Sequence, residues 1–428
     1  MYDYGFVSYE SKDEFLEKSK RFWNPGKTQH WIDSGVDLVI DRREGYFLYD
    51  MSGKRLIDVH LNGGTYNLGH RNPELVQALE EGMQRFDLGN HHFPSLARTA
   101  LAEALVKACP PNMRNVIYAS GGGEAIDIAI KTARHTKKRR KIVSVIKAYH
   151  GHTGLAVGVG DERFSKIFLA DRPEEFPQVP FNDLDAMEDA LRNRDVAAVI
   201  METIPATYGF PMPEPGYLAG VKRLCEQYDA LYIADEVQTG LMRTGELWGI
   251  SKHGVEPDIL VTGKGICGGL YPIACVVVSG ECAGWLSEDG FAHMSTMGGA
   301  ELGCIVALKV LEITQRPEVR SMVGFIADRF AKGLREIQSL HPDYFVGIRQ
   351  DGLVMGLEFN HPRGANHVMK SLYRNGVWAI FSTLDPRVLQ FKPGILMEPE
   401  LVDEVLDRVE VSVAEARQES LRLERQVA

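Results

Sequence analysis

The chain has 428 residues, of which 44% are hydrophobic and 25% charged, a balance that excludes a mainly disordered chain and allows a large buried core. A formal net charge of -10 offers no overall positive field to nucleic acid or to an anionic lipid surface, so small molecules are the expected partners. No apolar run approaches the ~20 residues of a membrane span.

The N-terminal MYDYGFVSYESKDEFLEKSK is charged from its start and has no apolar centre, unlike a signal peptide. Short alternating strands follow, as in LVIDRREGYFLYD. From about residue 100 to 280 the pattern changes: amphipathic helical windows alternate with short apolar runs, as in a mostly parallel, helix-covered sheet. The runs are VIYAS (116–120), KIVSVI (141–146), VAAVIME (196–202), ALYIADEV (230–237), DILVTG (258–263) and IACVVVS (273–279), rich in the Val, Ile and Ala of strands buried on both faces. Helices are expected at Glu124 to Thr136, Leu184 to Asn193 and Leu218 to Tyr228. KKRRK, Lys137 to Lys141, falls between a helix and a strand and reads as a solvated turn rather than a polyanion patch.

After about Pro317 shorter strands return, and Glu398 to Gln426 reads as a charged amphipathic helix. The expected fold class is α/β: a large unit over residues 56–317 and a smaller α+β unit built from both chain ends, 1–55 and 318–428. The cysteines Cys109, Cys225, Cys267, Cys275, Cys282 and Cys304 form no CxxC pair and follow no disulfide framework, which points to a reducing, cytoplasmic setting.

In open α/β sheets ligands bind beyond the C-terminal ends of the strands. Polar residues there are Gly121 to Glu124, Tyr149 and His150, Asp235 to Gln238, and Lys264. SGGGEAID (120–127) opens a helix directly after a strand, leaving backbone N–H groups free for a phosphate. A dinucleotide would want an acid about twenty positions on, and the next strand ends at Ile146 and Lys147. A tight turn without a ligand is the plainer alternative.

Asp235 and Glu236 lack an accompanying His or Cys ligand set, so no metal is expected. Such an acid can instead pair with a buried cation, at ~4 kcal/mol for ~4 Å and an effective dielectric of ~20, enough to keep a weakly basic ring nitrogen protonated. A lysine at a strand end, depressed in pKa by burial, is a nucleophilic amine suited to a Schiff base with a carbonyl. Phosphate cradle, acid and lysine together describe a pyridoxal phosphate site.

These residues resemble the class III (ornithine and 4-aminobutyrate type) aminotransferases of pyridoxal phosphate fold type I. The resemblance rests on YNLGHRNPE (66–74), SGGGEAID, YHGHTG (149–154), ADEVQTGLMRTG (234–245), PDILVTGKGICGG (257–269) and STMGGAELGC (295–304). It implies that Lys264 forms the Schiff base with pyridoxal 5'-phosphate and shuttles the substrate proton, while Asp235 pairs with the ring nitrogen. It further implies that Tyr149 and Val237 sandwich the ring, Gln238 bonds its phenolic oxygen, Glu202 sits nearby, and Gly122 and Gly123 hold the phosphate. Thr296 would reach the phosphate of a neighbouring subunit, giving a homodimer with shared active sites.

The sequence also departs from that family. Gly123 stands where a Ser or Thr is usual. The family's positions for substrate carboxylates hold His152, Thr207 and Gln390, the last two in place of a glutamate and an arginine that pair with each other. Losing both is coherent, because removing one would strand a charge. Lys392, Arg42, Arg43, His91 and His92 are candidate substitutes, although structural roles are favoured for the two histidines.

The implied activity is ping-pong transfer of an amino group from an amine, amino sugar, β-amino acid or hydrophobic amino acid to an oxo acid. A racemase, epimerase or aminomutase on the same fold is the alternative. A dehydrogenase is disfavoured by the missing ribose acid, and a regulator by the lack of an appended helix-turn-helix module.

Overall fold

The computed structural model describes residues 2, 3 and 5–427, with side chains over 5–422. Its main sheet has strands β1 (Met113–Ala119), β2 (Lys141–Val145), β3 (Gln178–Val179), β4 (Val196–Glu202), β5 (Leu231–Asp235), β6 (Ile259–Thr262) and β7 (Ala274–Ser279). Their spatial order is β1-β7-β6-β5-β4-β2-β3. Neighbours from β6 across to β3 run parallel. β7 lies antiparallel between β1 and β6. Every residue of β4 and β5 is buried, which is why both read as unbroken apolar runs. β3 has only two residues and left no pattern to read.

Helix α1 (Gly122–Lys137) follows β1 at once and lays Ala125, Ala129 and Ala133, with Ile126 and Ile130, against the sheet at four-residue spacing. It ends where Lys138 turns left-handed at φ 53. There the KKRRK run is drawn into ion pairs: Lys137 lies 2.7 Å from both Asp229 and Glu281, and Arg139 lies 2.7 Å from Asp229. The run is a paired, partly solvated turn.

Two further four-stranded sheets come from the rest of the chain. One joins Ile40–Glu44, Phe47–Asp50 and Arg55–Asp58 to Val377–Trp378, with Val377 opposite Ile57, so both ends of the chain share one sheet. The other joins Phe345–Asp351, Val354–Phe359, Ile380–Ser382 and Asp385–Phe391. The terminal helix spans Pro399–Val427 and packs over helix Gly364–Arg374. Among the described residues no helix is long and apolar enough to cross a membrane.

The end of β6 is shaped by glycine. After Gly263 the chain makes one tight turn, Lys264–Cys267, and leaves it through Gly268 and Gly269 at φ +56 and +71. A Cβ on Gly269 would run into the Tyr66 ring and hold a strained backbone. Gly269→Ala is therefore expected to lower the unfolding free energy by more than about 1 kcal/mol, read from the urea midpoint at unchanged m-value.

Candidate active site

The C-terminal ends of β1, β2, β4, β5 and β6 meet at one edge of the sheet and enclose a cavity of about 320 Å³. Gly122 and Gly123 come to it from the start of α1, Tyr149 and His150 from the loop after β2, and Glu202 from the end of β4. Asp235, Val237 and Gln238 come from β5 and the loop beyond it, and Lys264 from the turn after β6. A larger cleft, about 860 Å³, lies between the Asp41–Gly45 hairpin and residues Tyr66–Pro73. It holds Arg42 and Arg43, away from the strand ends. Arg42 is already engaged, 2.6 Å from Glu44 and stacked 3.8 Å over Tyr49.

Asp235 is buried, with both carboxylate oxygens occupied. His150 Nδ1 donates to Oδ2 at 2.7 Å, and the Val237 N–H donates to Oδ1 at 3.1 Å. Burial alone would lower the His150 pKa, but the hydrogen bond to Asp235 and the charges of Asp235 and Glu202 outweigh it and raise the imidazole above its ordinary value. Its other nitrogen, Nε2, is buried without a protein partner. Glu202 Oε1 accepts the Tyr149 N–H at 3.0 Å, and burial pushes its carboxyl up to about 7, with Asp235 adding repulsion and His150 and Lys264 opposing the rise.

Lys264 faces these two acids. Desolvation lowers its pKa, and the attraction of Asp235 and Glu202 offsets only part of that. Its backbone is left-handed at φ 42, a strained setting for a residue with a Cβ. Gly63 makes room for the side chain: a Cβ there would sit 3.0 Å from Lys264 Cε. An amine with lowered proton affinity beside two buried carboxylates can attack a carbonyl and carry protons.

Glu236 turns the other way. Its carboxylate accepts the N–H groups of Gly249 at 2.7 Å and Ile250 at 2.9 Å, together with the Thr203 hydroxyl. It ties a loop to the sheet rather than facing the cavity. Among the described residues no three His, Cys, Asp or Glu side chains are grouped to hold a metal ion.

Gly123 is explained by its surroundings, since a Cβ there would lie 2.9 Å from Thr153 Oγ1. The hydroxyl absent at 123 is thus replaced in space by one from the YHGHTG loop. α1 begins without a side-chain cap at Gly121, and Glu124 folds back to accept from the Ser120 N–H and hydroxyl at 2.8 and 2.6 Å. The remaining first-turn N–H groups stay free to meet an anion.

Other expected site residues lie outside this cavity wall. His152 packs edge-on against Tyr149 and Phe164, at 5.3 and 4.9 Å between ring centroids. Thr207 is half-buried, its carbonyl accepting from Leu384 N–H at 3.1 Å. Gln390 and Lys392 stand behind Gln238, with Lys392 Nζ donating to both Gln238 Oε1 at 2.9 Å and Gln390 Oε1 at 2.6 Å. Thr296 is exposed on the loop after Phe291. His91 and His92 stack on each other 4.1 Å apart, with Phe291 6.2 Å from His92.

Three contributors were not singled out from the sequence: the His150 bond to Asp235, and the wall residues Asn62 and Thr65. The Asn-Gly-Gly run at 62–64 marks a turn with positive φ, and that was the available signal for the last two.

A model of the family described as Aminotransferase class-III matches residues 30–413. An uncharacterized aminotransferase of Archaeoglobus fulgidus is 39% identical over 425 residues, 99% of this chain and all of the relative. The ornithine aminotransferase of Toxoplasma gondii, solved with pyridoxal phosphate partly occupying its active site, superposes with a TM-score of 0.88 at 25% identity, covering 97% of both chains. The N-acetylornithine aminotransferase of Stenotrophomonas maltophilia superposes at 0.76 with 27% identity, over 88% of this chain and 95% of its own.

The chain belongs to the class III aminotransferases. It is a pyridoxal phosphate-dependent transaminase of fold type I. Its residues fit that cofactor: the cavity is within the roughly 300–1,000 Å³ of ligand pockets, with an amine, an acid and a free helix N-terminus on its walls.

Glu236→Gln is expected to cost about 1–3 kcal/mol in a denaturant titration, because the amide NH2 must face a buried backbone N–H in either orientation.

Proposed function

We propose that this transaminase takes its amino group from an amine, amino sugar, β-amino acid or hydrophobic amino acid, and passes it to an oxo acid such as pyruvate or 2-oxoglutarate by a ping-pong sequence. The observation that carries the reading is the absence, among the described residues, of an arginine from the cavity wall and from the position of Gln390, where the nearby cation, Lys392, is already engaged by two side-chain amides. Gln390 presents an amide, its oxygen is taken by Lys392, Thr207 offers no charge, and no arginine lines the cavity among the described residues. A substrate carboxylate read by a bidentate arginine has no such partner here.

When bound, pyridoxal phosphate supplies an electron sink for the charge developing at the substrate carbon. Lys264 Nζ would hold the cofactor and, as free amine, move the proton at that carbon. Its lowered proton affinity keeps more of it in the basic form near neutral pH. Asp235 would hold the proton on the ring nitrogen, with His150 and the Val237 N–H fixing its carboxylate. Tyr149 and Val237 would flank the ring, Gln238 would meet its phenolic oxygen, and Glu202 would bound the site beside Tyr149. The N–H groups of Gly122 and Gly123 would bind the phosphate.

Thr296 would serve the partner's phosphate in a homodimer with shared active sites. Exposed Phe93, Leu96, Phe291, Met294 and Met297 support burial of that face by a second copy. Six unbridged cysteines support a reducing, cytoplasmic setting.

Lys264→Ala is expected to abolish turnover and the visible absorption of the purified enzyme, and Asp235→Asn to lower turnover by roughly 10² or more with colour retained. In a screen of amine donors against two oxo-acid acceptors, oxo product should appear in proportion to acceptor consumed. Inversion or internal migration without acceptor would instead show an isomerase. Gln390→Arg alone should reduce turnover with glutamate as donor by about tenfold, since it sets a second cation against buried Lys392 with no acid at 207. A gain with glutamate in that variant refutes this account of the pocket.

A further inference from the structure

We propose that Lys392 is a positioning residue for the cofactor, locking the Gln238 side-chain amide with its oxygen turned away from the cavity and its NH2 left to donate to the ring oxygen of the bound group. The inference rests on the pyridoxal phosphate site described above. Lys392 follows the strand Asp385–Phe391, is 1% exposed, and is anchored through its own N–H to Val59 O at 2.7 Å.

Lys392 Nζ has at least two N–H donors whether charged or neutral, and two are directed at amide oxygens. At 2.9 Å from Gln238 and 2.6 Å from Gln390, Lys392 dictates both orientations. Gln238 lines the cavity, and its NH2 has no hydrogen-bond partner among the described residues. A carboxamide is planar, and once its oxygen is held on one side its NH2 projects elsewhere.

The charge surroundings explain why a lysine does this. A buried charge is costly unless paired, and Lys392 has no carboxylate at ion-pair distance among the described residues. The groups facing it are Lys264 and Arg243 on the positive side, Glu202 on the negative side, His60, and the ring of Phe210 at 5.6 Å. Burial and the two cations lower its pKa well below that of a free lysine. The ring oxygen of bound pyridoxal phosphate would supply the counter-charge, reached through the Gln238 amide. Among the described residues no other hydrogen bond reaches the Gln238 amide.

The test uses purified holoenzyme of the wild type, K392M, Q238A and the double variant, each titrated across neutral pH while the visible absorption of the bound cofactor is followed. Both the nearby positive charge and the donated N–H favour loss of the proton that the ring oxygen helps to hold. K392M should therefore move the midpoint upward by about one pH unit and weaken cofactor retention on dialysis. In the Q238A background the same change should have much less effect.

A folded K392M enzyme with the wild-type midpoint overturns the proposal, as does an undiminished shift on the Q238A background. K392M removes a buried charge but leaves two amide oxygens without their donor, so circular dichroism and the melting temperature establish first that the variant is folded. A crystal structure of K392M with the Gln238 amide unmoved also overturns it, whether or not cofactor is retained. A wild-type enzyme with no visible band dependent on Lys264 removes the underlying cofactor reading instead.

Discussion

Two buried acids and one amine converge on a single cavity, and the surrounding structure is organised to make that tolerable. Asp235 has both carboxylate oxygens engaged, by the His150 ring and a backbone N–H, whereas Glu202 has one backbone donor and its carboxyl is pushed up to about 7 by burial. Two carboxylates paired across adjacent strands thus have different hydrogen-bond surroundings.

The rigid part of this arrangement is backbone. Parallel strands bring their C-terminal ends to one edge, so residues more than a hundred apart in sequence present side chains to the same volume. Glycines then remove what would obstruct it. Gly63 admits the Lys264 stem, Gly123 admits Thr153, and Gly269 admits the Tyr66 ring. Glu236 uses its hydrogen bonds to fasten the loop at Gly249 and Ile250, which leaves its neighbour Asp235 free to face inward.

Behind the cavity a second layer has an unusual charge balance. Lys392 and Arg243 are both buried, and Arg243 meets only the carbonyls of Leu353 and Pro393 through Nη1, with Nε and Nη2 unpartnered. Burial pushes the Arg243 pKa down to about 10. Cations held by neutral oxygens in a desolvated layer favour an anion in front of them. That preference suits an anionic oxygen at this side of the cavity, and it comes from side chains held behind the wall rather than on it.

How much was legible depended on the range of the interaction concerned. The end of an apolar run, a helix opening on glycine and a lysine after DILVTG are local, and they marked β1, β2, β4, β5, β6 and the cavity's principal side chains. The direction of β7 was not local: ACVVVS is as apolar as its parallel neighbours, and its antiparallel pairing shows only once the chain has turned back through Gly268 and Gly269. The pairing of Val377 with Ile57, the His150 bond to Asp235, and the contact of Lys392 with Gln238, 154 residues away, likewise depend on how separate segments pack. By itself the sequence determined the class of chemistry, because short motifs at strand ends carry the reactive groups. Only the tertiary structure decided what stands behind those groups, because desolvation and amide orientation are properties of neighbours that the chain brings together last.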